Sequence, residues 1–195
     1  ESYYEIPATE DTAMNGTWVK GPGMELFEAL ADVIGDRQVI AEDLGFLTPE
    51  VHELLAGTGY PGMKVLQFAF DAMSDSDYQP HNFTRNCVVY TGTHDNDTSR
   101  GWIENTNPQV REYAMKYLGI KEQENTVEAM IRTAMMSVAD TCIIPLQDYL
   151  CLGSEARINT PSTLGNNWKW RVSADVFTKE LSARLLDYAR IYARL

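Results

Sequence analysis

Two acidic residues follow a short apolar segment early in the chain. Glu42 and Asp43 come directly after the apolar run 38–41. Adjacent side chains on an extended backbone point to opposite sides, so only one of these acids can face a common pocket. A carboxylate at the end of a strand can serve as a general acid. The alternative is that both acids belong to a turn that caps a neighbouring helix.

A denser polar group follows the apolar run 87–91. It comprises residues 94–97, with the sequence His-Asp-Asn-Asp. An aspartate before a helix often closes an Asx turn, which accounts for Asp97 but less well for His94 and Asp95. These two residues fit a sugar-binding, charge-stabilising site or a metal site of the His-Asp kind.

The metal interpretation has less support from the composition. The chain holds three histidines, His52, His81 and His94, and His52 falls within a predicted helix. A metal-dependent phosphohydrolase built on His94 and Asp95 would need further ligands nearby. We therefore expect no metal and no cofactor.

Aromatic residues lie beside amides in a glycine-rich segment near the C-terminus. Asn167 and Trp168 follow Gly165 and Asn166. Rings flanked by amides and acids suit sugars, whose apolar faces stack while their hydroxyl groups form hydrogen bonds. Core packing is an equally good explanation for Trp102 and Trp170.

Alternating strands and helices must position these residues. The apolar patterns predict strands at 38–41, 63–70, 87–91 and 141–146, and helices at 24–34, 49–56, 98–104, 108–118, 124–138 and 178–194. The first 23 residues are predicted to be a loop. Short apolar strands separated by helices indicate a parallel α/β fold, in which functional loops follow the strands.

The composition of the chain argues against several kinds of protein and binding partner. The chain has 195 residues and a net charge of -12, which disfavours binding to nucleic acid. It shows neither a signal peptide nor an apolar run long enough to cross a membrane. Three widely spaced cysteines (Cys87, Cys142 and Cys151) favour a reducing, cytoplasmic setting over a disulfide framework.

Two carboxylates at the ends of different parallel strands, with sugar-compatible loops, suggest glycosidic chemistry. Such enzymes use one protonated acid on the leaving oxygen and a second carboxylate as nucleophile or base.

Several strings in the chain resemble one family closely. They are AEDLG (41–45), PGMKVLQFAF (61–70), YTGTHDNDT (90–98), IPLQD (144–148), ARINTP (156–161) and GNNWKWR (165–171), with YEIP (4–7) and WVKGPG (18–23) at the start. In this order they resemble the 4-α-glucanotransferases, also called amylomaltases or disproportionating enzymes, of glycoside hydrolase family 77.

The resemblance implies a (β/α)8-barrel (TIM-barrel) enzyme that acts on α-1,4-glucans by a retaining double displacement. It implies Glu42 as the catalytic acid/base and Asp95 as the catalytic residue that stabilises the transition state. His94 matches a histidine that contacts sugar hydroxyls, and Asn159 matches an acceptor-side sugar contact. With Asn167 and Trp168, these residues form the expected substrate-binding set for maltooligosaccharides or starch-derived glucans.

One family string is not found in the chain. The family nucleophile is an aspartate in a string that immediately precedes the YEIP opening, so no nucleophile can be assigned here. The resemblance therefore implies an α/β chain forming the second half, strands 5 to 8, of the barrel. Residues 1–23 would be the loop between strands 4 and 5, and residues 24–195 the half barrel.

Two further expectations follow from half a barrel. The isolated chain is predicted to be inactive as a transferase, and a non-catalytic glucan-binding half barrel is the alternative function. Because exposed sheet edges invite pairing with another chain, we expect a homodimer that restores closure or a re-pairing of the strands.

Overall fold

The computed structural model describes residues 1–45, 47–71 and 73–195. These residues divide into two compact units, Glu1–Met63 and Lys64–Leu195. The boundary between the two units lies after residue 63.

The first unit begins with a hairpin rather than the predicted loop. Strand β1 (Ser2–Glu5) pairs antiparallel with β2 (Thr17–Lys20), and Tyr4 lies opposite Trp18. The two rings lie 5.2 Å apart between centroids, and the Tyr4 hydroxyl donates to the carbonyl of Ala13. Cross-strand aromatic pairs of this kind stabilise a two-stranded ribbon. The prediction of a loop over 1–23 is wrong on this point.

Two helices complete the regular structure of the first unit. Helix α1 (Met24–Ile34) is confirmed at the predicted bounds. Helix α2 (Pro49–Thr58) extends two residues past its predicted end, because Gly59, with a φ of 68°, ends the helix in place of Gly57. Phe27 of α1 meets Tyr60 edge-on at 6.0 Å.

The strand predicted at 38–41 does not form. The backbone N–H of Ala41 donates to the carbonyl of Pro61 at 2.9 Å. Proline has no N–H, so Pro61 cannot return a ladder bond. The segment has no regular secondary structure.

The second unit is an α/β layer. Strands β3 (Gly62–Val65), β4 (Cys87–Tyr90) and β5 (Thr141–Ile143) form a sheet in that order. β4 and β5 run parallel, with Val88 opposite Thr141 and Tyr90 opposite Ile143. This confirms the parallel α/β expectation for that pair, while the described residues form three strands of one sheet and no closed barrel.

All three strands are shorter than predicted, and β4 ends one residue early, at Tyr90. β3 ends at Val65, where a 3-10 turn (Leu66–Ala69) continues the apolar run predicted as strand. β5 ends at Ile143, and a one-turn helix begins directly after Pro145, which is its N-cap residue.

The described residues of the second unit form five α-helices. They are α3 (Ser99–Asn105), α4 (Pro108–Leu118), α5 (Thr126–Met136), α6 (Leu146–Tyr149) and α7 (Lys179–Ile191). Side-chain caps fix three of their starts: Thr98 for α3, Asn107 for α4 and Thr178 for α7. Among the described residues, no helix is long and apolar enough to span a membrane.

The core of this unit lies between the sheet and α5. Leu66, Val89 and Met130 belong to one buried cluster, and Met130 is fully buried. Burial of this cluster holds β4 against α5. It therefore fixes the position of the residue at which β4 ends. The polar segment 91–98 follows directly.

Candidate functional site

The loop between β4 and α3 carries the exposed pair His94 and Asp95. Its shape comes from its own polar residues: the side-chain oxygen Oδ1 of Asn96 accepts from both the backbone N–H and the hydroxyl of Thr93, each at 2.8 Å. Thr98 then caps α3 by accepting from the N–H of Gly101. The Asn96 N–H also donates to the carbonyl of Thr93 at 3.2 Å, so a turn over 93–96 has His94 and Asp95 at its tip. The helix start expected from an Asx turn at Asp97 is made by the Thr98 hydroxyl instead.

Asp95 has a partner at each carboxylate oxygen. The Asn159 side-chain amide donates to Oδ1 at 2.5 Å, and the His94 Nε2 lies 3.4 Å from Oδ2. Both His94 and Asp95 side chains are about half exposed, at 47% each. A carboxylate held in one orientation and open to solvent can stabilise positive charge that develops on a bound ligand.

Arg157 joins the two segments that carry these residues. Its guanidinium donates to the backbone carbonyl of Asp95 at 2.7 Å and to that of Asn159 at 2.8 Å. The Asn159 N–H also donates to the carbonyl of His94 at 3.1 Å. Sequence reasoning missed Arg157, although it lies inside the ARINTP string beside Asn159.

Trp168 contacts the imidazole of His94. The two ring centroids are 4.9 Å apart at an interplanar angle of 40°, and the indole is 57% exposed. Trp168 has a φ of 64°, a left-handed conformation that is unusual for a bulky residue. Its backbone N–H donates to the carbonyl of Ile158 at 2.8 Å, which holds the Trp168 backbone beside the segment that carries Asn159.

Asn167 has its side chain turned into its own loop. The amide oxygen accepts from the N–H of Thr160, and the amide nitrogen donates to the carbonyl and the hydroxyl of Thr163. The predicted binding residue thus shapes the loop between Asn159 and Trp168.

Glu42 and Asp43 lie in the first unit and differ in exposure. Asp43 is 8% exposed and accepts from the N–H of Met63 at 2.5 Å, whereas Glu42 is exposed. The carboxylate of Asp43 occupies the space that a Cβ at Gly62 would need. One of the two acids is therefore used internally, and the other is open to a ligand, which matches the alternation expected from an extended backbone.

Two buried polar residues of α6 were also missed by sequence reasoning. Asp148 and Gln147 are 2% and 5% exposed. Burial raises the pKa of Asp148, opposed by hydrogen bonds from Thr91 and Ser99. An acid and an amide directly after the apolar run 141–146 are the signal that could have identified them.

A small cavity and an open cleft adjoin the segments of the second unit that carry His94 and Arg157. A cavity of about 30 Å³ lies between His94, Pro145 and Ile158, and an open cleft of about 570 Å³ continues past Arg157 and Trp170. The cleft is lined mainly by polar side chains, among them Asp97, Ser154, Glu155, Asn166 and Lys169. Within the described residues, no group of three histidine, cysteine or acidic side chains is arranged to hold a metal ion.

Comparison with known proteins gives consistent results. The sequence model of the family described as 4-alpha-glucanotransferase matches residues 1–177. The chain is 50% identical over 195 residues to the 4-alpha-glucanotransferase of Clostridium butyricum and 45% identical over 202 residues to that of Thermus thermophilus. In both cases the match covers all of this chain but only 40% of the relative.

The fold has a match among solved structures. The amylomaltase of Streptococcus agalactiae, solved in complex with acarbose, superposes with a TM-score of 0.91 at 39% sequence identity. The match covers 98% of this chain and 39% of that protein.

Proposed function

Because the chain belongs to the 4-alpha-glucanotransferase family, we propose that it is part of an enzyme that transfers α-1,4-glucan segments to an acceptor sugar. The chain spans about 40% of the length of the relatives that it matches. The single observation that carries the proposal is the arrangement around Asp95, whose carboxylate is oriented by Asn159 and flanked by His94.

Glu42 is proposed as the catalytic acid/base. Its exposed carboxyl can protonate the oxygen of the leaving sugar and later deprotonate the incoming acceptor hydroxyl, as a retaining double displacement requires. Asp43 supports this role by fixing the backbone beside it through the N–H of Met63.

Asp95 is proposed as the residue that stabilises the transition state. The sugar ring acquires positive charge as the glycosidic bond breaks, and a fixed carboxylate stabilises that charge. His94, Asn159 and Trp168 are proposed sugar contacts, and Asn167 is proposed to act through the loop that it shapes.

The nucleophile is proposed to come from a residue outside these 195 residues. Retention by double displacement needs a covalent glycosyl-enzyme intermediate, so the chain alone is predicted to have no transferase turnover. We further propose that the chain is the second half of a (β/α)8 barrel, with residues 1–23 preceding the half barrel 24–195. The TM-score of 0.91 to an amylomaltase supports this placement.

Three proposals concern the surroundings of the chain: its oligomeric state, its compartment and its partners. Thr141 and Ile143 of β5 are exposed, which supports homodimerisation through open sheet edges. Three cysteines present as thiols support a cytoplasmic setting. The net charge of -12 supports neutral glucans, rather than nucleic acid, as partners.

The direct test is product analysis with maltotriose. We expect the pure 195-residue chain to release neither glucose nor longer maltodextrins, whereas a chain extended to the length of the relatives disproportionates maltotriose. Replacement of Glu42 by Gln in the extended chain should abolish turnover, and the matched change Glu50→Gln should not. Turnover by the 195-residue chain alone would show that the assignment of the nucleophile is wrong.

A second candidate is a non-catalytic glucan-binding half barrel. The observation that favours it is that His94, Asp95, Asn159 and Trp168 all lie in the second unit. Calorimetric binding of maltoheptaose by the 195-residue chain, combined with an inactive extended chain, would favour this candidate over the transferase.

A further inference from the structure

Two adjacent side chains of the one-turn helix α6 hold the two loops of the candidate site. Asp148 and Gln147 are both buried, although α6 spans only Leu146–Tyr149. Buried polar groups are retained where their hydrogen bonds are satisfied, and both of these are satisfied by loop residues rather than by the helix.

Asp148 closes the loop that follows β4. Its carboxylate accepts from the Thr91 hydroxyl at 2.5 Å, from the Ser99 N–H at 2.8 Å and from the Ser99 hydroxyl at 2.7 Å. Thr91 is the first residue after β4, and Ser99 is the first residue of α3. One side chain therefore fixes both ends of the segment that carries His94 and Asp95.

Gln147 holds the other loop. Its amide donates to the carbonyl of Ala156 at 3.2 Å. Arg157, the next residue, donates to the carbonyls of Asp95 and Asn159. The segment that brings Asn159 to Asp95 is therefore also held by α6, through the contact of Gln147 with Ala156.

We propose that Asp148, assisted by Gln147, is a positioning residue that sets the distance between Asp95 and Asn159 in the glucan site. The geometry itself is independent of the reaction, but its consequence for glucan binding rests on the proposed function. Both side chains line the small cavity beside His94 but are almost fully buried, so they act on the exposed site through the loops that they hold.

The test uses nuclear magnetic resonance of the ligand-free chain together with maltoheptaose calorimetry. In the Asp148→Asn variant, we expect exchange of the Ser99 amide hydrogen to accelerate about tenfold or more, since its charged acceptor is lost. We also expect the two side-chain amide signals of Asn159 to move, because its bond to Asp95 loosens. Maltoheptaose affinity should fall by about tenfold.

A matched control separates positioning from general stability. Glu128, a residue of α5, accepts hydrogen bonds from Arg132 of the same helix and from Arg184 and Tyr188 of α7. Glu128→Gln should lower the melting temperature while leaving the Asn159 signals and the affinity unchanged. If Asp148→Asn lowers only the melting temperature in the same way, the proposal is overturned.

A milder variant keeps the proposal testable if Asp148→Asn does not fold. Ser99→Ala removes one of the three bonds to Asp148 and should move the same Asn159 signals by a smaller amount. Unchanged Asn159 signals in folded Ser99→Ala would count against the proposal. If wild type does not bind maltoheptaose, the proposed function fails, while the ligand-free signals still decide the positioning role.

Discussion

The side-chain amide of Asn159 donates to Oδ1 of Asp95 at 2.5 Å, although the two residues are 64 positions apart in the chain. This bond joins the loop after β4 to the segment after α6. It orients one carboxylate oxygen and leaves the other beside His94.

Removal of the amide should weaken glucan binding. Asn159→Leu leaves the Asp95 carboxylate without its donor, and hydrogen bonds to charged groups contribute about 1.5–3 kcal/mol. We expect maltoheptaose affinity to fall by about tenfold or more in calorimetry. Asn125→Leu, a change at an exposed amide that does not line the cleft and makes no side-chain cap hydrogen bond, is the matched control and should retain affinity. Equal losses in both variants would refute a specific role for Asn159.

The left-handed backbone at Trp168 predicts an unusual order of stabilities. With a φ of 64°, an alanine at this position incurs a steric cost of about 1–2 kcal/mol that glycine avoids. Trp168→Gly should therefore melt at a higher temperature than Trp168→Ala, the reverse of their order in a helix. Differential scanning calorimetry of the two variants measures this directly. Both should lose maltoheptaose affinity, since both lack the ring over His94.

Acidification should release the contact between α5 and α7. Burial alone would raise the pKa of Glu128, but hydrogen bonds from Tyr188 and Arg184 and the charge of Arg132 outweigh it and hold the pKa below its ordinary 4.5. A lowered folded-state pKa contributes stability that is present above the unfolded value and lost as pH falls through the folded one.

Comparing the melting temperatures of wild type and Glu128→Gln at several pH values tests whether the contribution of Glu128 to stability is lost on acidification. Because the Glu128 side chain is 37% exposed, solvent screening limits the expected difference in unfolding free energy to about 1 kcal/mol at neutral pH. The difference in melting temperature should shrink as pH falls below 4.5. A difference that grows on acidification would contradict the assignment.

The three cysteines should differ in reactivity. Burial raises the pKa of Cys142 to about 11, only partly offset by the charge of Arg194, and Cys87 is buried. Cys151 is exposed. A pKa near 11 leaves about one thiol in a thousand ionised at pH 8, so Cys142 should react slowly.

Thiol titration with a chromogenic disulfide measures this order. We expect one rapid equivalent in the native chain and the remainder after denaturation. Cys151→Ser should abolish the rapid phase. Rapid reaction of a second thiol in that variant would show that the β4–β5 region opens in solution.

Local signals predicted the best-defined helices. Helix α4 matches its predicted bounds because Asn107 caps it, Pro108 starts it and Gly119 ends it in a left-handed conformation. Each of these effects acts within a few residues of the chain. They are therefore visible in the sequence without knowledge of the fold.

Elements that depend on distant partners were predicted poorly. The apolar segment 38–41 has the composition of a strand, but its backbone meets Pro61, which cannot complete a ladder. The β1–β2 hairpin was missed because it relies on the pairing of Tyr4 with Trp18 across a long turn.

The candidate site was predicted unevenly for the same reason. The resemblance supplied Glu42, Asp95, His94 and Asn159 as expectations. The contacts of Arg157 and Asp148 join segments about 50 to 60 residues apart, so only the folded chain reveals them.

The central claim is that His94, Asp95 and Asn159 form a glucan site. The most direct test labels the tryptophans of the chain with ¹⁵N and follows their indole N–H signals by nuclear magnetic resonance during a maltoheptaose titration. The chain has four tryptophans, so each indole N–H can be followed separately. We predict a saturable shift of the Trp168 signal, absent in the Asn159→Leu variant, with the Trp18 signal unchanged. A titration that leaves Trp168 unmoved, or that moves Trp18 alone, would contradict a glucan site built on His94, Asp95 and Asn159.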